Sequence, residues 1–374
     1  MSMKAAELPG LNVLRVLASL YMVMFHLHPA FLAGPIQNFF SNGSSDTSLF
    51  FILSGFLLSH LYLHQPMEHQ TQLRFVYRRL ARIIPANLSG LLFLIGVHLA
   101  LGHHIRDWST LIKCMLLIQA WTVGESYAMN IPAWSMSCLM FFYLIFPVLL
   151  LRIKRVNSSK LQIMLLLTWL VSAFGIHVLI RYPGTFDSAQ WAQYLHNSPL
   201  PRSGEFILGM GTAVLVHKKG LFSVWILNMS TGLIFISMFF LQGYDTNNNG
   251  LFAPVIIMII LTFSAPDKFL TRIGNSIVVK AISSASICIY LLHMTFIQYF
   301  NFVVLPHWHL EWNAGLVILF LVIIVLSALV VDRWLCLPVT RWLVRPTFPV
   351  FTVPTLRFRR PLAPAVKQAQ AASA

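Results

Sequence analysis

The stretch LNVLRVLASLYMVMFHLHPAFLA, residues 11–33, decides how the chain is read. It is long and apolar enough to cross a bilayer, whose hydrocarbon core takes about 20 helical residues. Yet it carries an arginine at position 15 and a histidine at position 26. Eleven residues at about 100° each come to roughly 20° beyond three turns, so Arg15 and His26 share one helix face. Their separation along the axis is ~16 Å, roughly half the bilayer core. Ser19 and Met22 fall on the same stripe. Ionisable groups in such a setting need a partner or a water-filled cavity. Arg15 lies near the end of its span, so snorkelling to headgroups is the plain alternative for it. For His26 alone the plain alternative is a packed core histidine.

The rest of the chain repeats the apolar pattern. Of its 374 residues 57% are hydrophobic and 10% charged, where a soluble domain carries about 25% charged residues. This composition excludes an ordinary soluble enzyme and indicates an all-α, polytopic membrane helix bundle. Ten apolar segments are predicted, near 11–33, 46–64, 83–102, 132–151, 161–180, 204–217, 222–242, 250–266, 281–304 and 314–336. The first is too long for a signal-peptide core and has no small-residue cleavage site, so it is expected to remain as a span. With the N-terminus in the cytoplasm, 21 Lys and Arg fall on the cytoplasmic side and 4 on the other. That asymmetry supports ten spans with both termini cytoplasmic. The membrane domain is expected to cover residues 1–340, and a basic, Pro- and Ala-rich cytoplasmic tail, 341–374, to be disordered. No internal repeat is evident, which weighs against a transporter built from inverted halves.

The net charge of +15 could suggest nucleic acid. The basic residues are scattered between apolar spans without a base-stacking platform, so membrane lipids are the expected anionic partner and nucleic acid is not. Cys114, Cys138, Cys288 and Cys336 sit in apolar stretches without metal-ligand spacing, and read as small buried hydrophobes with free thiols.

Several short motifs could carry chemistry. In SLFFILSGFLL (48–58), Ser54-Gly55 permits close helix approach, by the first helix or by a substrate. In FVYRRLARIIPANL (75–88), Arg78, Arg79 and Arg82 precede Pro85, which suits the first turn of the next helix. A cation cluster beside a helix N-terminus suits phosphate groups, with an ordinary positive-inside loop as the alternative. The segment LIKCMLLIQAW (111–121) is too short to span and reads as re-entrant or interfacial. Trp134 and Tyr143 read as interfacial anchors. Glu205 follows Arg202 by three residues, either as a structural pair or as part of a polar extracytoplasmic acceptor site. Tyr290 and His293 stand on adjacent turns of the ninth segment, either as a second cavity wall or as packed residues.

In series, LNVLRVLASLYMVMFH, SLFFILSGF and RRLARIIP resemble the integral-membrane acyltransferase 3 family. WSMSCLMFFYLIFP, PRSGEFILGM and SICIYLLHM match weaker family positions, so the resemblance spans roughly residues 10–340. It implies that His26 is the catalytic histidine of an Arg-x10-His motif opened by Arg15. It also implies that Arg79 and Arg82, with Arg78 beside them, hold an acyl-CoA donor at the cytoplasmic face. Ser54 and Gly55 match the family's Ser-Gly of the second helix, and with Glu205, Tyr290 and His293 they are assigned to a substrate cavity. The chain departs from the family at Leu139, where a WSxSxE segment usually places an acidic residue.

The activity expected from the resemblance is O-acyl transfer in the bacterial inner membrane. An acetyl group would pass from cytoplasmic acetyl-CoA, a co-substrate and not a resident cofactor, to a sugar hydroxyl of an exported glycan. The acceptor would be a glycan of exopolysaccharide or O-antigen type or its lipid-linked oligosaccharide precursor, and no metal is implied. The alternative is a secondary transporter or exporter of a glycan precursor, with His26 and His293 in a proton relay.

Overall fold

A computed structural model describes residues 8–28, 32, 34–41, 44–65, 68–102, 107–175, 178–179, 184, 187–221, 250 and 252–345. The described residues form helices and connecting turns, with no strand among them. In chain order the helices are α1 (Gly10–Leu27), α2 (Gly34–Ser41), α3 (Ser44–Tyr62), α4 (His69–Ala100) and α5 (Trp108–Met115). Then come α6 (Trp134–Ile153), α7 (Ser158–Gly175), α8 (Ser188–Asn197) and α9 (Pro199–Lys219). The last are α10 (Ala253–Ser264), α11 (Lys268–Gly274), α12 (Ile277–Trp308) and α13 (Ala314–Leu343).

Six of these helices (α1, α4, α6, α7, α12 and α13) are long and apolar enough to cross a membrane. The count becomes seven if α10 and α11, which meet at 87°, form one broken span. The chain is a multi-pass membrane protein. Outward faces of α7 and α13 carry exposed Leu166, Leu167, Val171, Ile318, Leu319 and Val322, as lipid contact requires. The predicted segment 222–242 and most of the predicted tail lie outside the described residues.

Three readings are corrected by the fold. First, α1 stops at Leu27 and does not run to 33, because His28 turns left-handed (φ 40°) and closes the helix with its N–H on the Met24 carbonyl. Second, Pro85 does not start a helix. It lies inside α4, which begins at His69 and runs for 32 residues. Proline lacks the N–H that would bond the carbonyl four residues earlier, here Ala81. The Thr340 hydroxyl of α13 shares its proton between that carbonyl, at 2.8 Å, and the Cys336 carbonyl, at 2.7 Å, so a distant helix stands in for the missing donor. Third, Trp134 and Tyr143 are buried at 7% and 8% exposure, as core residues and not interfacial anchors. Segment 111–121 is neither a span nor one re-entrant helix: α5 leads into a short 3-10 turn at Gln119–Trp121. Asp107 caps α5 by accepting from the Thr110 hydroxyl and N–H, which holds its carboxyl below the ordinary carboxylate value.

The most extensive helix pairing joins α3 to α9. A Cβ placed on Gly209 would stand 1.9 Å from the Ile52 carbonyl oxygen, and one on Gly55 would stand 2.1 Å from the Phe206 carbonyl oxygen. The partner approaching Gly55 is therefore α9, and not α1 or a substrate. All four cysteines are buried with free thiols.

Gly209→Ala is expected to force α3 and α9 apart and to lower stability by about 1–3 kcal/mol, read as a thermal midpoint in detergent. Gly96→Ala, with nothing within 4 Å of its added methyl, serves as the control and is expected to be neutral or stabilising.

Candidate active site

Two adjoining cavities lie between α1, α3, α4, α6 and α12. The end cavity, about 400 Å³, is lined by Pro9, Asn12, His60, Asn275 and Lys280 near helix ends. The inner cavity, about 230 Å³, is lined by Phe50, Phe51, Ser135, Leu139, Ser284 and Tyr290. Arg15, Ser54, Arg79 and Tyr143 line both and so form the neck between them.

Arg15 and Arg79 stand at the neck with no ion pair among the described residues. The Arg79 guanidinium sits 5.6 Å from the Phe75 ring centre. Arg82 reaches the inner cavity but is already engaged. Its Nη2 lies 2.5 Å from Asp332 Oδ1 and donates to the Ser284 carbonyl at 2.7 Å. The Ser284 hydroxyl donates in turn to Asp332 Oδ2 at 3.0 Å. Asp332 opens a π-helical turn within α13, Asp332–Cys336, which lets its carboxylate face α4. Arg78 is exposed and lines neither cavity. The three arginines lie nine to thirteen residues into α4, so the predicted helix N-terminus contributes nothing to them.

His26, at the far end of α1 from Arg15, meets His293 of α12. His293 Nε2 is 3.1 Å from His26 Nδ1, and His293 is fully buried at 0% exposure. His293 Nδ1 lies 2.6 Å from the Tyr290 carbonyl, and Tyr290 itself lines the inner cavity. The helical axis distance from Arg15 to His26 is ~16 Å, as eleven residues of α1 require.

The residues assigned from sequence to one substrate cavity separate into four places. Ser54 and Tyr290 line cavity wall. Gly55 is helix contact. Glu205 lines neither cavity: its Oε2 pairs with Arg202 Nη2 at 3.2 Å, and its Oε1 accepts from Ser48 at 2.9 Å. Arg202 also lies over Phe51 and Trp134, at 5.1 and 5.5 Å. This buried pair holds α9 against α3 and α6 and reads as structural. His293 stands behind the cavity, against His26.

Sequence reading missed Asp332 and the role of Tyr143 in the neck. The signal for Asp332 was present, since an aspartate inside an apolar span is itself a functional or paired residue. Among the described residues, no three His, Cys, Asp or Glu side chains gather as a metal site.

The model of the acyltransferase domain known as acyltransferase 3 matches residues 8–332, from the start of α1 to the Asp332 turn. The chain belongs to the acyltransferase 3 family. It is 25% identical over 317 residues to a peptidoglycan O-acetyltransferase, OatA, of Listeria monocytogenes, covering 76% of this chain and 48% of that one. An O-acetyltransferase OatA of Staphylococcus aureus is 25% identical over 338 residues, 79% of this chain and 51% of that one. An acyltransferase of Streptomyces mycarofaciens, MdmB, is 25% identical over 247 residues, 57% and 59% of the two chains. The chain thus spans about half the length of the curated relatives it matches. No solved structure matches it. Both neck arginines and both histidines fall within the acyltransferase 3 match.

Asp332→Leu is expected to leave Arg82 uncompensated and to cost up to about 3 kcal/mol of stability. Adding Arg82→Met should recover part of that loss in the same thermal melt, a coupling that independent sites would not show.

Proposed function

We propose that this acyltransferase moves an acetyl group from cytoplasmic acetyl-CoA to a sugar hydroxyl of an exported glycan, in the bacterial inner membrane. The observation that carries the reading is the neck. Arg15 and Arg79, without acidic partners among the described residues, stand where two cavities adjoin inside an apolar bundle, a setting that calls for an anionic occupant. Coenzyme A is a multiply charged anion with a long, narrow arm. Its phosphates would lie in the end cavity, with Lys280 and Arg79 beside them, and the arm would pass the neck. Ten spans with both termini cytoplasmic would put the end cavity on the donor's side, in keeping with the 21-to-4 distribution of Lys and Arg.

His26 would act on the acceptor. Its imidazole takes the hydroxyl proton as the sugar oxygen attacks the thioester carbonyl. The carbon–sulfur bond breaks, and the thiolate leaves as coenzyme A on receiving the proton back. Two of the three relatives are named O-acetyltransferases, one of these a peptidoglycan O-acetyltransferase, which supports an acetyl donor and a glycan acceptor.

The test uses inside-out vesicles supplied with acetyl-labelled acetyl-CoA, following label into glycan. His26→Ala should lower transfer by ~100-fold or more while leaving donor binding intact. Arg79→Ala should weaken donor binding by roughly tenfold or more, as expected for one lost charged hydrogen bond. Label held on protein when acceptor is withheld would instead mark an acyl-histidine route. Glycan that crosses the membrane unlabelled would favour the transporter. Silence from both the native chain and Leu139→Glu, beside an active relative, would sink the enzyme reading.

A further inference from the structure

We infer that His293 is a positioning residue that fixes the tautomer of His26. It accepts the His26 Nδ1–H on its own Nε2 and leaves the lone pair of His26 Nε2 free for acyl transfer. The inference rests on the preceding assignment of His26 only for its catalytic consequence. The hydrogen-bond assignment itself comes from the geometry of the pair.

Two carbonyl oxygens decide where the protons sit. A carbonyl only accepts, so a neutral histidine that bonds one must carry its proton on the nitrogen facing it. His293 Nδ1 faces the Tyr290 carbonyl at 2.6 Å, which assigns Nδ1–H and leaves His293 Nε2 with its lone pair. That lone pair points to His26 Nδ1 at 3.1 Å. His26 Nδ1 also lies 3.1 Å from the Met22 carbonyl. Its proton is therefore shared between two acceptors, one from its own helix and one from α12. The opposite arrangement would aim the His293 Nδ1 lone pair at the Tyr290 oxygen and the His26 Nδ1 lone pair at the Met22 oxygen. One assignment satisfies all three contacts, and the other leaves two of them repulsive. The rings are tilted by 49° with centres 5.0 Å apart, an arrangement that fits an in-plane N–H···N bond better than stacking.

The consequence is a directed chain from the cavity wall to the reacting group. Tyr290 lines the inner cavity and anchors His293 with its carbonyl. His293 is fully buried, and its Nε2 faces His26. In the other tautomer His26 would present an N–H on Nε2, which can neither take the acceptor's proton nor attack a carbonyl.

The test is solid-state NMR of [15N]histidine-labelled protein in lipid bilayers, with the His26 signals assigned by their loss in His26→Ala. The native protein should show His26 protonated at Nδ1 and bare at Nε2. His293→Leu should shift His26 toward the Nε2–H form. It should also lower kcat for acetyl transfer ~10-fold or more, with KM for acetyl-CoA unchanged. His293→Gln keeps an acceptor oxygen in reach, so it should retain the native tautomer and most of kcat. A native spectrum with Nε2–H at His26 overturns the proposal without any variant. So does His293→Leu with the native tautomer, since the Met22 carbonyl would then suffice alone. A folded His293→Gln that behaves like His293→Leu also overturns it. Full transfer by His26→Ala would instead refute the catalytic assignment of His26 and leave the tautomer measurement standing.

Discussion

The backbone contact between α3 and α9 is the constraint on which the rest depends. In lipid, helices gain no hydrophobic drive from meeting each other, so close packing of small residues does that work. Gly55 and Gly209 each receive a carbonyl oxygen of the opposite helix where a methyl would stand. With the two backbones in contact, Ser54 is turned to the cavities, and Ser48 comes within reach of Glu205 and Arg202. That buried ion pair then fills the space beside Phe51 and Trp134, fixing α6 as the next wall. The cavity is what remains between this rigid pair and the helices α1, α4 and α12.

Arginines inside the bundle divide into two sorts by what faces them. Arg202 and Arg82 each have a carboxylate, from Glu205 on its own helix and from Asp332 across to α13, and the first pair reaches α3 through Ser48. Removing one member of such a pair costs more than the pair contributes, which makes it a fixed structural element. Arg15 and Arg79 have no such partner among the described residues, and both line the neck. An uncompensated guanidinium in an apolar bundle is stable only where water or an anion reaches it. The same side-chain type is thus paired at two positions and left facing the cavities at two others, and only the third dimension tells them apart.

Much of this was legible in the sequence, for physical reasons that also explain what was not. The Arg15–His26 stripe depends only on helical period, and α1 preserves it. The small pair at Ser54-Gly55 carried its packing signal locally, although its partner is a helix some 150 residues away. Pro85 misled because the donor that replaces its missing N–H comes from Thr340, far outside any local window. Arg78 and Arg79 could not be ranked from sequence. They differ by about 100° around α4, and which of them faces a cavity is set by the neighbouring helices. His293 was seen as an intramembrane histidine, but its service to His26 and not to the cavity needed the two distances on its ring nitrogens.

Leu139 makes the electrostatic argument sharper. It stands in the inner-cavity wall, 5% exposed, at the position where the family resemblance implies a carboxylate. Arg15, Arg79 and Arg82 line that cavity, no acidic side chain does among the described residues, and Asp332 is paired with Arg82. This wall is therefore more positive than one carrying an acid at that position. Like charges held together in low dielectric repel, so the free protein bears a cost that an anionic occupant removes. Whatever stabilises the occupied form by neutralising the neck stabilises the folded protein by the same linkage. The leucine leaves the positive charge of this wall to be met by whatever anion occupies it, and the titratable groups nearest the other end of α1 are His26 and His293.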